Sequence, residues 1–122
     1  MILECEDQVV SEQAIEAEVI EALAGMNEKK CDYVILSKNE ESFMQAAGTT
    51  IEYREGEQQY HCEESIVDIQ RAFIFYLNED DAYLKMFDWQ PIETSESKAS
   101  IIAIMLFIIA TTAYAIYATL IA

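Results

Sequence analysis

The sequence has few of the residues from which catalytic and metal sites are usually built. It holds one histidine and three cysteines among its 122 residues. Cys5, Cys31 and Cys62 are widely spaced and form no CxxC or Cys/His metal pattern. His61 stands beside Cys62, but neighbours on a strand point to opposite faces, so the two cannot work as base and nucleophile. We expect all four to be structural side chains.

Glycine is equally scarce, and the three glycines are isolated from one another. They cannot form a phosphate-cradling loop, which needs several glycines at short spacing. The acidic run Glu79–Asp81 lacks the spacing and the glycine of a calcium loop. The sequence therefore predicts no cofactor, no metal ion and no enzymatic activity.

Basic residues are the third shortage, with 7 of them against 23 acids and a formal net charge of -16. Such a surface repels nucleic acid and anionic lipid headgroups, whereas it attracts a basic protein over long range. Ordinary solubility charge is the alternative, and the sequence does not decide between them. The candidate contact residues for a basic partner lie near a predicted hairpin and after a predicted helix: Glu52, Glu55, Glu57, Glu79, Asp80 and Asp81.

The C-terminal segment 99–122, "ASIIAIMLFIIATTAYAIYATLIA", has no charged residue at all. As a helix it would reach roughly 36 Å, which is enough to cross a hydrocarbon core about 30 Å thick. The rest of the chain is too small to enclose a helix that is apolar all round. We therefore expect a domain at 1–90, a polar linker at 91–98 and a single transmembrane helix at 99–122.

The N-terminus carries no signal for secretion, so we expect the acidic domain to stay in the cytoplasm and the chain to be tail-anchored in the inner membrane. Thr111, Ala115 and Thr119 recur every four residues and would form one small-residue helix face. Such faces let membrane helices approach closely, so this face is a candidate for helix packing. Ala and Thr are also common in membrane helices generally, which leaves a plain anchor as the alternative.

The N-terminal half of the domain alternates between strand and helix patterns. We expect one short edge strand over residues 2–10. The run "SEQAIEAEVIEALAGM" predicts a helix that is capped by Ser11 and ends at Gly25, with an apolar stripe on one face. The stripe consists of Ile15, Val19, Ala22, Leu23 and Met26. "CDYVILSK" and "SFMQAAG" predict two further strands.

The second half opens with the strongest hairpin pattern, "TTIEYREGEQQYHCEE", which bends at Gly56. Ile51, Tyr53, Tyr60 and Cys62 should line its buried face. Ser65 then caps a second helix, and "AYLKMFDW" predicts a short third helix that ends before Pro91. The order of elements predicts an α+β fold, in which a small antiparallel sheet carries two helices on one side.

The run from Tyr33 to Trp89 resembles small bacterial immunity proteins of polymorphic-toxin systems. The resembling segments are "FMQAAG", "IEYREGEQQYH" and "IVDIQRAFIFYLNEDDAYLKMFDW". In that group a strand with a "Q-x-x-G"-like end precedes an "xEYR(E/D)G" hairpin and a helix that ends in an aromatic cluster. About half of the chain is covered, and the apolar tail is not part of the usual pattern.

The resemblance implies a non-enzymatic inhibitor that binds a cognate toxin and blocks it. The tail would place this inhibitor at the membrane, which suits a toxin that acts at or in the membrane. The rival hypothesis is a tail-anchored adaptor or structural subunit of a bacterial membrane or defence complex. An immunity gene should lie directly downstream of a toxin gene, whereas an adaptor gene should lie among the genes for its complex.

Overall fold

A computed structural model describes residues 1–92 of the chain. The predicted transmembrane helix, with Thr111, Ala115 and Thr119, lies outside these residues. None of the helices within residues 1–92 is long and apolar enough to cross a membrane. The elements are β1 (Ile2–Cys5), β2 (Gln8–Ser11), α1 (Glu16–Asn27), β3 (Val34–Asn39), β4 (Ser42–Ala47), β5 (Thr50–Glu55), β6 (Gln58–Glu63), α2 (Ile66–Leu77), α3 (Tyr83–Met86) and β7 (Gln90–Pro91).

The strands form one antiparallel sheet in the order β2-β1-β3-β4-β5-β6-β7. Most strands that follow one another in sequence are neighbours joined by short turns, whereas α1 connects β2 to β3, and α2 and α3 connect β6 to β7. The fold is therefore α+β with an antiparallel sheet, as the sequence predicts. The sheet is larger than predicted, because it contains seven strands.

The core lies between one face of this sheet and the two longer helices. α1 contributes Val19 and Leu23, and α2 contributes Ile69 and Phe73, each at most 1% exposed. Every second residue of the strands faces these helices, as the period of a strand requires. The sheet residues in this core are Leu3, Val34, Leu36, Met44, Ala46, Ile51, Tyr53 and Cys62.

The N-terminal strand prediction is wrong in one respect, because residues 2–11 form two strands rather than one. Glu6 and Asp7 have φ angles of 49° and 67° and make the tight turn between β1 and β2. Positive φ at both central residues is what a two-residue type I′ hairpin turn requires. β2 is thus the edge strand, whereas β1 lies between β2 and β3 and buries Leu3 completely.

Helix α1 begins later and ends later than predicted. Ser11 does not cap it but is the last residue of β2, and the helix starts at Glu16. The Glu18 carboxylate caps the start instead, by accepting a hydrogen bond of 3.1 Å from the Ile15 N–H. Ile15 itself is 59% exposed and so does not join the apolar stripe. The helix continues past Gly25 to Asn27.

The second half agrees more closely with its prediction. Gly56 has a φ of 64° at the β5–β6 bend, and Ser65 Oγ caps α2 by accepting a hydrogen bond of 3.3 Å from the Asp68 N–H. The predicted linker, however, begins on the sheet. Pro91 belongs to β7, and the Ile92 N–H donates to the Gln59 carbonyl at 2.9 Å. The third helix ends at Met86, before the residues that return to the sheet.

Candidate functional site

Two acidic turns lie side by side at one end of the sheet. In an antiparallel sheet the β3–β4 and β5–β6 turns fall at the same end, and a hydrogen bond of 2.9 Å from the Gly56 N–H to the Glu41 carbonyl joins them. Ser42 Oγ donates to Glu55 Oε2 at 3.0 Å, which holds the Glu55 carboxylate between the turns. Glu40 and Glu57 are exposed on either side.

The acidic run after α2 reaches the same end. Burial, together with the nearby carboxylates of Glu55 and Asp81, raises the pKa of the Tyr83 phenol to about 12. The Tyr83 phenol is therefore close to carboxylates of both the hairpin turn and the acidic run. The start of α1 also belongs here, because Asn78 Nδ2 donates to Glu16 Oε1 at 3.0 Å.

We call this surface the acidic end. Its residues come from four separate parts of the chain, and all of them are exposed: Glu16, Glu40, Glu41, Glu55, Glu57, Glu79, Asp80 and Asp81. The ion pairs Lys30–Glu28, at 2.9 Å, and Arg71–Asp68, at 3.5 Å, lie elsewhere on the domain. The acidic end therefore concentrates negative potential toward solvent.

An aromatic cluster lies directly beneath the acidic end and fixes its parts relative to one another. The Tyr53 ring makes edge contacts with the rings of Tyr83, at 5.4 Å, and Trp89, at 4.6 Å. Trp89 Nε1 donates to the Tyr83 carbonyl at 2.9 Å. Tyr76 packs edge-on against Tyr83 at 5.5 Å, and the Lys38 ammonium lies 4.9 Å from the centre of the Tyr76 ring. Because these rings bridge β5, α2 and α3, the carboxylates above them are held on a rigid base.

The structure thus brings together five of the six predicted acidic residues, Glu55, Glu57 and Glu79–Asp81. Glu52 is the exception. It points to the face of the sheet opposite the helices, is 7% exposed, and adds nothing to the surface charge of the acidic end. Burial raises the pKa of its carboxyl, and the opposing effects of His61 and of a 3.4 Å hydrogen bond from Gln59 Nε2 are smaller.

Glu52 belongs to a buried polar layer that the sequence analysis did not predict. Gln45, Arg54 and Gln59 lie on the same face of the sheet, and each is at most 6% exposed. Arg54 Nε donates to the Gly56 carbonyl at 2.8 Å, which ties this layer to the hairpin turn. Neither Gln45 Oε1 nor Gln59 Oε1 accepts a hydrogen bond from residues 1–92. Alternation along β5 predicts Ile51 and Tyr53 on the core face, which leaves Glu52 and Arg54 on the opposite face, and the structure buries both of them there.

Sequence reasoning also missed three members of the acidic end, Glu16, Glu40 and Glu41. Glu40 and Glu41 stand in "KNEES", a polar break between two predicted strands, and this break would have identified a turn. Within the described part of the chain, no group of three or more His, Cys, Asp or Glu side chains is arranged to hold a metal ion. No protein-family model, curated protein or solved structure matches the chain.

Proposed function

We propose that this chain is a membrane-anchored immunity protein, which binds a cognate bacterial toxin with its acidic end and thereby blocks it. The observation that carries the proposal is the convergence of exposed carboxylates from four parts of the chain on one rigid surface. A surface of this kind suits a basic partner, since carboxylates form their strongest hydrogen bonds with arginine and lysine.

The rigidity of the acidic end favours tight binding. Its turns are joined by the Gly56–Glu41 hydrogen bond and rest on the packed rings of Tyr53 and Tyr83. Because the backbone that carries these carboxylates is already held in place, less conformational entropy is lost when a partner binds. The negative potential also raises the rate of encounter with a basic protein, and added salt reduces this effect.

An inhibitor of this kind needs no catalytic group, because it acts by covering the surface that the toxin uses. A standard interface buries about 800 Å² on each partner, which a domain of this size can supply.

The uncharged segment 99–122 serves, in this proposal, as a single-pass anchor in the inner membrane, with the acidic domain in the cytoplasm. The toxin would then act at or in that membrane.

The test is to isolate the full-length protein from detergent-solubilised membranes and to identify its partners by mass spectrometry. We expect one tightly bound basic protein that is toxic when expressed alone and harmless when the full-length chain is co-expressed. A set of membrane subunits without toxicity would refute the immunity proposal and would support a tail-anchored adaptor.

The anchor is tested separately by deleting residues 99–122. We expect the truncated chain to lose protection, because the inhibitor would no longer be concentrated where the toxin acts. Full protection by a truncated chain would remove the membrane part of the proposal and leave the binding part intact.

A further inference from the structure

Two of the three cysteines lie together at the end of the domain away from the acidic end. Cys5 is the last residue of β1 and pairs with Val34 of β3. The segments that follow β1 and precede β3 run side by side beyond this pair. The Glu6 N–H donates to the Tyr33 carbonyl at 3.4 Å, and the Glu6 carboxylate accepts a hydrogen bond from the Asp32 N–H. This arrangement brings Cys5 next to Cys31, although they are far apart in sequence.

The two thiols share a cavity of about 340 Å³, which is also lined by Gln8, Val9 and Lys30. Cys5 is half-buried at this cavity, whereas Cys31 is 7% exposed. The Cys31 thiol donates to the Ala22 carbonyl at 3.9 Å, and the Cys5 thiol lies near enough to raise the Cys31 pKa. Cys5 is therefore the more accessible of the two cysteines, and Cys31 lines the same cavity.

We propose that Cys5 and Cys31 form a reversible disulfide when the protein meets a low-molecular-weight disulfide. The Cys5 thiolate attacks one sulfur of the oxidant, whose S–S bond breaks and releases one small thiol. Cys31 then attacks the Cys5 sulfur of this mixed disulfide and releases the second small thiol. In sum, two protein thiols lose two electrons and two protons, and the oxidant becomes two thiols.

The order of the two attacks follows from the surroundings of each sulfur. Burial, together with smaller contributions from the neighbours Cys5, Glu6 and Asp32, raises the pKa of Cys31 to about 12. Cys31 is therefore a poor first nucleophile. Once Cys5 carries the small group it can no longer hold a negative charge, so this contribution to the Cys31 pKa disappears and the second attack becomes easier.

The bond would close a covalent loop from residue 5 to residue 31, which contains the edge strand β2 and helix α1. Closing a loop of this size restricts the unfolded chain and stabilises the fold. It would also fix the β1–β2 hairpin to the segment that precedes β3. Disulfides of cytosolic proteins are usually transient and responsive to redox conditions, which agrees with a pair in which one partner is accessible.

Cys62 provides an internal control. It is buried in the core at 8% exposure, on β6, and β3, β4 and β5 separate it from β1. Its pKa is raised to about 11, mainly by burial. Cys31 and Cys62 are both buried, so a reaction governed by thiol exposure alone would oxidise them equally. A reaction governed by proximity to Cys5 would oxidise Cys31 and leave Cys62 reduced.

The experiment treats the full-length protein in detergent, as wild type and as Cys62→Ser, with bis(2-hydroxyethyl) disulfide, a neutral oxidant that the acidic surface does not repel. Free thiols are then alkylated, and intact mass, peptide mapping and Tm are measured. We expect both proteins to lose two hydrogen atoms, to yield a Cys5–Cys31 cross-linked peptide, and to melt on the order of 10 °C higher than their reduced forms.

A mixed disulfide that persists on Cys5 would overturn the proposal, and so would a bond that includes Cys62 or joins two chains. A cross-linked product that melts at or below the temperature of the reduced protein would overturn it as well, because the bond would then distort the fold. A Cys31→Ser variant should stop at the mixed disulfide on Cys5, and formation of any internal disulfide in that variant would contradict the assignment.

Discussion

Loss of the phenolic oxygen should change the stability of the protein in opposite directions at two buried tyrosines, Tyr76 and Tyr33. The Tyr76 side chain is completely buried, and its hydroxyl has no hydrogen-bond partner within residues 1–92. Tyr33 is 4% exposed, and its hydroxyl donates to Asp7 Oδ1 at 2.6 Å. Phenylalanine keeps the ring at both sites, so the comparison isolates the hydroxyl.

The magnitudes follow from these surroundings. A buried hydroxyl without a partner costs about 1–3 kcal/mol, so Tyr76→Phe should raise the free energy of unfolding by about 1 kcal/mol. The Lys38 ammonium, 4.9 Å from the ring centre, keeps its contact with the ring. A hydrogen bond to a charged group contributes about 1.5–3 kcal/mol, so Tyr33→Phe should lower the free energy of unfolding by about 2 kcal/mol. The two variants should therefore differ by about 3 kcal/mol.

Urea denaturation of both variants measures this difference. Trp89, the only tryptophan of the chain, reports unfolding by its fluorescence because it packs at 4.6 Å from Tyr53. At an unchanged m-value, the midpoint should rise for Tyr76→Phe and fall for Tyr33→Phe. If Tyr76→Phe destabilised the protein as much as Tyr33→Phe does, its hydroxyl would be a satisfied group, and the reasoning would be refuted.

Three further predictions concern stability. Leu3→Ala should lower the free energy of unfolding in urea by about 2–5 kcal/mol, whereas the exposed neighbour Ile2 tolerates the same change; equal effects would mean that β1 is not part of the core. Glu52→Gln should raise Tm at neutral pH, because burial disfavours the charged form of Glu52 and so raises its pKa. This gain in Tm should vanish as pH falls through that pKa, and a gain independent of pH would contradict the argument. Tm should fall between about pH 10 and pH 12. In the folded protein Tyr53 and Tyr83 have pKa values raised to about 12, whereas tyrosines of the unfolded chain lose their protons near pH 10. Tyrosinate absorbance that developed before unfolding would contradict this.

Elements with strong local patterns were predicted well from the sequence. Alternation around Gly56 identified β5 and β6, and Ser65 identified the start of α2. The β1–β2 turn was missed because Glu6 and Asp7, rather than glycine, adopt positive φ there. This turn is stabilised by tertiary contacts, such as the Tyr33–Asp7 hydrogen bond, which no local pattern reveals.

The candidate site shows the same division between local and long-range information. The hairpin acids and the acids after α2 were identified as separate patches, because each is contiguous in sequence. Their approach across Tyr83, and the addition of Glu16, depend on the order of the strands and on how the helices pack. The burial of Glu52 likewise depends on long-range packing. Alternation along one strand shows which side chains share a face, but it does not show whether the face opposite the helices is buried.

The central claim, binding through the acidic end, is tested most directly by two full-length variants with equal net charge. One carries Glu55→Gln, Glu57→Gln and Asp81→Asn at the acidic end, and the other carries Asp32→Asn, Glu63→Gln and Glu64→Gln at the opposite end. Capture of the partner from detergent-solubilised membranes should fall strongly for the first variant and stay near wild type for the second. Equal loss in both variants would show that net charge alone matters, and full capture by the first would show that the partner binds elsewhere.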